Sequence, residues 1–213
     1  MNILTKDLCF PPVEQANYDG ILAFGGDLSE ERLLLAYRSG VFPWFSEGEP
    51  ITWFAPEERM VVFVQEYETP RTIKKLMRKN LFQITYNSAF SEVIHHCKTI
   101  ERAGQWGTWI TDEMEIAYNN LHQKGFAKSV EVWQNGLLVG GIYGVDLGHV
   151  FCGESMFSKV SGASKIAFCA LIAQLKAQNY VLLDAQVYNE HLALLGAEEI
   201  DRADFMKILN ARS

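Results

Sequence analysis

The chain has 213 residues, 48% of them apolar and 21% charged, an ordinary folded composition that excludes disorder, collagen and coiled coil as the main architecture. Its length suffices for a core without staples, as one large domain or one with a small appendage. The net charge of −7 argues against coating nucleic acid by bulk charge, yet RTIKKLMRK (71–79) holds five bases and no acid while the rest carries 26 acids against 14 bases.

Residues 9–28 are rich in Pro, Gly and Asn and read as loops with short extended pieces. Ser29 caps EERLLLAYRS, a helix with acids in its first turn and Gly40 as its stop. Residues 41–59 are dense in aromatics and proline, and MVVFV (60–64) reads as a buried strand. Thr69-Pro70 opens a helix with Pro at its first position. In that helix Ile73, Leu76 and Met77 form an apolar stripe, and Arg71, Lys74, Lys75 and Arg78 share another face. LFQITY (81–86) predicts a strand, 88–97 a helix and 98–108 a polar loop. Thr111 caps a helix that stops near Gly125.

SVEVWQ (129–134), Asn135-Gly136 and LLVGGIYGV (137–145) spell a hairpin. A third strand (149–157), a long apolar helix (163–178), a buried strand (180–186) and two short helices complete the chain. The order predicts an α/β fold of the α+β kind with a mixed sheet, a small N-terminal domain over 1–58 and a larger domain over 59–213. No apolar run approaches the ~20 residues of a membrane helix. MNILTKDLCFPPVEQ has no secretory apolar core. Cys9, Cys97, Cys152 and Cys169 form no Cys-x-x-Cys. A cytoplasmic monomer with reduced thiols and no membrane partner is the expectation.

Four features could carry chemistry, each with a plainer alternative. Arg71, Lys74, Lys75, Arg78 and Lys79 suit successive phosphates of a nucleic acid, or are a solvated face. Trp44, Trp53, Phe42, Phe45 and Phe54, with Trp106 and Trp109 further on, offer stacking platforms, or fill a loop core. Glu154 in GESMFS (153–158) sits at a strand end beside apolar residues, where it could guard a pocket. Asp184 and Gln186 in LLDAQ (182–186) are alternate strand residues and so share a face, at the kind of strand end where open sheets place sites. The histidines carry no metal-ligand spacing, and no metal is expected. Nucleophile elbow, P-loop and dinucleotide fingerprint are absent from the sequence. Residues 159–164 (KVSGAS) only approach the pyrophosphate loop [RQ]-x-x-G-x-[GA] of acyl-CoA N-acyltransferases, since the first and last positions are wrong.

In order along the chain, GILAFGGDLSEERLLLAYRSGVFPWFSEGEPITWFAPEER (20–59), GTWIT (107–111), SVEVWQNGLLVGGIYGV (129–145), FCGESMFSKVSGASK (151–165), LLDAQ (182–186) and HLALLGAEEI (191–200) resemble the leucyl/phenylalanyl-tRNA–protein transferase family. The resemblance implies a GCN5-related N-acyltransferase-like domain with a small N-terminal domain. It implies transfer of Leu or Phe, with Met a further donor, from tRNA to the α-amine of proteins bearing N-terminal Arg or Lys. That transfer marks the product for N-degron degradation, and no cofactor is implied. In this picture Asp184 polarises Gln186, Gln186 accepts a hydrogen bond from the attacking amine, and Glu154 holds the cationic acceptor or orients the pair. Trp44 and Trp109 sandwich the terminal adenosine, and Ile142, Phe151 and Met156 line the amino-acid pocket. The basic helix holds the acceptor stem.

Three positions depart from the family pattern. Ala185 stands where Cys is common, Lys128 where His often precedes S-V-E, and Leu171 where an aromatic is expected. Two competing readings follow from the residues: a CoA-dependent N-acyltransferase on the same fold, and a non-catalytic tRNA- or peptide-binding module.

Overall fold

The computed structural model describes residues 2–100 and 109–211, in which the chain builds two sheets. The smaller sheet holds β1 (Asn2–Leu4), β2 (Ile21–Gly25), β3 (Phe42–Pro43) and β4 (Thr52–Phe54) in the order β1-β2-β4-β3. The larger one begins with β5 (Glu58–Phe63) and adds β6 (Gln83–Tyr86), β7 (Ala127–Gln134), β8 (Leu137–Asp146), β9 (Val150–Ser158), β10 (Leu182–Gln186) and β11 (Glu198–Asp201). Its order is β11-β5-β10-β9-β8-β7-β6. Only β9 and β10 in that sheet pair in parallel, because α5 (Ala163–Ala177) crosses between them.

Local chemistry explains the elements. In α1 (Glu30–Arg38) the Ser29 hydroxyl accepts from the Arg32 N–H, and Gly40 at φ 73° ends the run. In α2 (Arg71–Met77) Pro70 occupies the cap position, so the helix begins one residue later than the sequence predicts. Next comes α3 (Phe90–Thr99), which continues past its predicted end into the expected polar loop. Residues 101–108 of that loop, with Trp106, lie outside the described residues. Thr111 caps α4 (Asp112–Gln123) through the Met114 N–H. Asn135 and Gly136 both adopt positive φ, as a two-residue hairpin requires. After β10 come α6 (Glu190–Ala193) and α7 (Arg202–Asn210), separated by β11. Neither β1 nor β11 is legible in the sequence pattern. Both are short edge strands, and β11 (EEID) has almost no apolar content.

The larger sheet is buried on both faces. One apolar cluster joins it to α1, α3, α4 and the small sheet, with Trp53, Tyr37, Tyr118 and Phe157 fully enclosed. The other seats α5, whose Ala163 approaches Gly140 so closely that a Cβ there would lie 2.6 Å from the alanine methyl. The change of sheet falls between Phe54 and Glu58, while the core runs through it without interruption. Leu76 of α2 reaches the head of α5 at Gly162, so the basic helix packs beside that helix start.

Candidate active site

The ladder between β9 and β10 stops at Cys152 and Asp184, although β9 runs on to Ser158. Beyond that point a cavity of about 390 Å³ opens. Phe42, Pro43, Trp44 and Trp109 line it on one side, Glu154, Ser155 and Met156 come from β9, and Ala185 through Asn189, with His191 and Leu192, follow β10.

Each of the two strands breaks its alternation at this point. In β9 the register against β8 slips between Gly153 and Ser155, leaving Glu154 as the extra residue. Gly144 opposite makes the slip possible, because a Cβ there would meet the Cys152 carbonyl oxygen at 2.1 Å. In β10 the register against β5 slips between Asp184 and Gln186, and Gln186 adopts φ 69°. The shared face expected of Asp184 and Gln186 as alternate residues is therefore replaced by two separate environments.

Asp184 is fully buried and does not line the cavity. Its carboxylate accepts from Arg59 Nε at 2.8 Å and Nη2 at 2.7 Å, a two-pronged pair. Arg59 also donates to the Gly40 carbonyl at 3.1 Å and lies between the rings of Phe42 and Phe205. Burial opposes its charge, and Asp184 more than offsets that, so the guanidinium is held above its usual range. Asp184 reaches Gln186 through the backbone, accepting from its N–H at 2.9 Å. The expected polarisation of the Gln186 side chain by Asp184 is thus a grip on the main chain. The side chain of Gln186 instead donates from Nε2 to Glu154 Oε1 at 2.7 Å.

Glu154 collects two further donors, Tyr37 at 2.7 Å on Oε1 and Tyr118 at 3.0 Å on Oε2. Burial, partly countered by these three hydrogen bonds, pushes its carboxyl up to about 7. Burial and the carboxylate also hold both tyrosine hydroxyls well above their ordinary range. The arrangement offers an amide and a proton-accepting carboxyl side by side at an open cleft flanked by indoles.

The other expected residues divide. Trp44 (41% exposed), Trp109 and Met156 face the cavity, whereas Trp53 and Phe45 are core, with the Trp53 indole donating to the Gly25 carbonyl, and Phe42 is buried at the cavity edge. Ile142 lies opposite Met156 in the ladder but is buried under the sheet, and it is not among the cavity residues. Phe151 is buried too and borders a different cavity of about 190 Å³, shared with Lys128 and Leu171. Arg71, Lys74, Lys75, Arg78 and Lys79 are all exposed. A second depression, lined by Tyr18, Asp19, Glu57, Glu58, Glu199 and Asp201, shares Val187 and Tyr188 with the first.

Comparison with known proteins adds the family. A leucyl/phenylalanyl-tRNA protein transferase model matches residues 61–210, and the model of that family's N-terminal domain matches 26–57. A protein of Flavobacterium johnsoniae named leucyl/phenylalanyl-tRNA–protein transferase is 60% identical over all of both chains. A protein of Flavobacterium psychrophilum with the same name is 54% identical over 98% of this chain and 99% of its own.

The chain belongs to the leucyl/phenylalanyl-tRNA–protein transferase family.

Among solved structures FemX shares the fold, with a TM-score of 0.53 at 11% identity over 81% of this chain and 66% of its own. The observed fold is the mixed α/β one that the element order predicts. Within it, Arg59, Tyr37, Tyr118 and His191 are site residues that sequence reasoning missed. An arginine opening an apolar strand was a usable signal for Arg59. Tyr37 and Tyr118 lie 81 positions apart, and no spacing links them.

Proposed function

We propose that this enzyme is an aminoacyltransferase that moves Leu or Phe, with Met as a further donor, from tRNA to the α-amine of proteins carrying N-terminal Arg or Lys, and so marks them for N-degron degradation. The observation that carries the reading is the Gln186–Glu154 pair on the floor of a cavity walled by Trp44 and Trp109. An aminoacyl ester is already activated, so the protein needs no nucleophile of its own. It must hold two substrates in line and accept a proton.

In this reading the Gln186 carbonyl oxygen, with its Nε2 committed to Glu154, takes a hydrogen bond from the incoming amine. Arg59 and Asp184 fix the Gln186 backbone from behind. Trp44 and Trp109 stack the terminal adenosine, a contact that needs an accessible ring face. Met156 borders the pocket for the apolar side chain, and its thioether adapts to both Leu and Phe; Ile142 and Phe151 back that wall from the core. Arg71, Lys74, Lys75, Arg78 and Lys79 hold phosphates of the acceptor stem, and the packing of Leu76 at Gly162 sets them beside the head of α5. The acidic depression beside Tyr188 suits a cationic acceptor. Residues 1–58 act as a small domain that supplies Trp44 to the cleft. The enzyme works as a cytoplasmic monomer without a cofactor.

The test is transfer of labelled Leu from Leu-tRNA, and Phe from Phe-tRNA, to a peptide with N-terminal Arg. Transfer with release of free tRNA is expected. Failure of the pure protein with both donors overturns the reading, and tight CoA binding by calorimetry would put the CoA-dependent alternative in its place.

A further inference from the structure

Three oxygen-bearing groups from three elements meet behind the cleft: Tyr37 from α1, Tyr118 from α4 and Glu154 from the β9 bulge. The two hydroxyls touch each other as well as one carboxylate oxygen each. That makes three oxygen–oxygen contacts. With Glu154 ionised the group holds two hydroxyl protons, one short of a proton for every contact. A proton arriving on Glu154 fills the third contact, but the tyrosines then lose their donations to a charged carboxylate, so on balance the two hydroxyls favour the ionised form. Both tyrosines are fully buried and neither can turn to water for a partner.

We propose that Tyr37, Tyr118 and Glu154 form one proton-holding cluster in which Glu154 is the catalytic base and the two tyrosines are positioning residues. The inference rests on the transferase reading above. The attacking amine enters as the free base, its nitrogen bonds to the ester carbonyl carbon, and the proton it sheds passes to the Glu154 carboxylate. The ester C–O bond then breaks, and the same proton ends on the ribose hydroxyl that leaves. No other reactant is required, and the cluster returns to its starting charge.

Among the described residues, the groups facing Glu154 are Tyr37, Tyr118 with Tyr143 against its ring, Gln186 and Asp184 from β10, Arg59 from β5 and Cys152 on its own strand. Arg59 is committed to Asp184 at 2.7–2.8 Å, so it does not neutralise Glu154. The nearest donors to the carboxylate are therefore neutral hydroxyls and an amide. Burial raises its affinity for a proton to about 7, in the range a base working near neutrality needs.

The experiment is a pH–kcat profile for wild type, Tyr37→Phe, Tyr118→Phe and Glu154→Gln, with one donor and one acceptor peptide throughout. The acceptor amine then contributes identically to every profile. Each Tyr→Phe change removes a donor to the carboxylate, so the acid limb of kcat should move to higher pH. Glu154→Gln should lower kcat about 100-fold or more and abolish that limb, with KM for the tRNA little changed. Limbs that coincide in wild type and both Phe variants overturn the cluster, as does wild-type kcat in Glu154→Gln. Should a variant not fold, infrared difference spectra of the wild-type protein with labelled Glu decide. A buried carboxyl absorption that titrates near neutrality supports the cluster, and its absence refutes it. A wild-type protein inactive with both donors would fail the transferase reading instead, and the infrared titration would still judge the cluster.

Discussion

Replacing Glu154 by Gln removes an ionisation that the folded protein resists. The ordinary glutamate value is 4.5, and in the fold burial raises it to about 7 against the opposing pull of Tyr37, Tyr118 and Gln186. Below the unfolded value both states carry the proton, and the full benefit of the neutral carboxyl is present. As pH rises from 4.5 to about 7 the unfolded chain releases its proton while the folded one keeps it, so wild type loses stability across that window. A gap of about 2.5 in pKa, at about 1.4 kcal/mol for each unit, sets the loss at ~3 kcal/mol. Partial exposure of Glu154 to the cavity makes this an upper figure. The Gln variant has nothing to titrate there. Urea unfolding of both proteins at several pH values, at constant ionic strength, should show the variant gaining on wild type only inside the window, with a plateau above it. A difference that stays flat refutes the argument, since Glu154 would then ionise as it does in water. A difference of opposite sign would mean that the three hydrogen bonds outweigh burial.

The remaining expectations concern the supports of the site and its two binding surfaces. Arg59→Met leaves Asp184 buried without its partner and should cost ~3–5 kcal/mol, seen as a large fall in thermal midpoint; an unchanged midpoint would mean that the pair contributes nothing. Gln186→Ala should lower kcat with little change in tRNA affinity, and an equal loss of affinity would make Gln186 a binding residue. Trp44→Ala should weaken donor binding by ~1–3 kcal/mol through lost stacking, measured as a raised KM for aminoacyl-tRNA; an unaltered KM removes Trp44 from the donor site. Changing Lys74, Lys75 and Arg78 together to Ala should weaken tRNA binding by ~1 kcal/mol or more and flatten its salt dependence, and an unchanged slope would take α2 out of the interface.

Helices and the hairpin were legible because their signals are local. Ser29 and Thr111 cap as their side chains predict, and Asn135-Gly136 turns as its backbone preference predicts. Burial was legible where apolar runs were long, as in α5 and β8. The aromatic segment shows the limit. Composition marks Phe42, Trp44, Phe45, Trp53 and Phe54 alike, yet only the packing of the small sheet decides that Trp53 goes inside and Trp44 faces the cleft. Ile142 and Phe151 fail for a related reason: they share a face with Met156, but they are buried in the α5 cluster and only Met156 reaches the cavity.

The reading by alternation broke at Glu154 and Gln186, the two residues that meet at the cleft floor. A period of two cannot survive an inserted residue, and both strands insert one here. The bulges fall where the β9–β10 ladder ends and the cavity begins, and there the Gln186 amide meets the Glu154 carboxyl. The non-glycine φ of 69° at Gln186 costs about 1–3 kcal/mol, and nothing local to LLDAQ favours it. The Arg59–Asp184 pair holds the Gln186 N–H from the core side and fixes that conformation. Arg59 in turn is held by Gly40, just past α1, and by Phe205 of α7. The backbone strain at the cleft is therefore balanced by contacts reaching both ends of the chain, and sequence patterns that extend over only a few residues cannot report it.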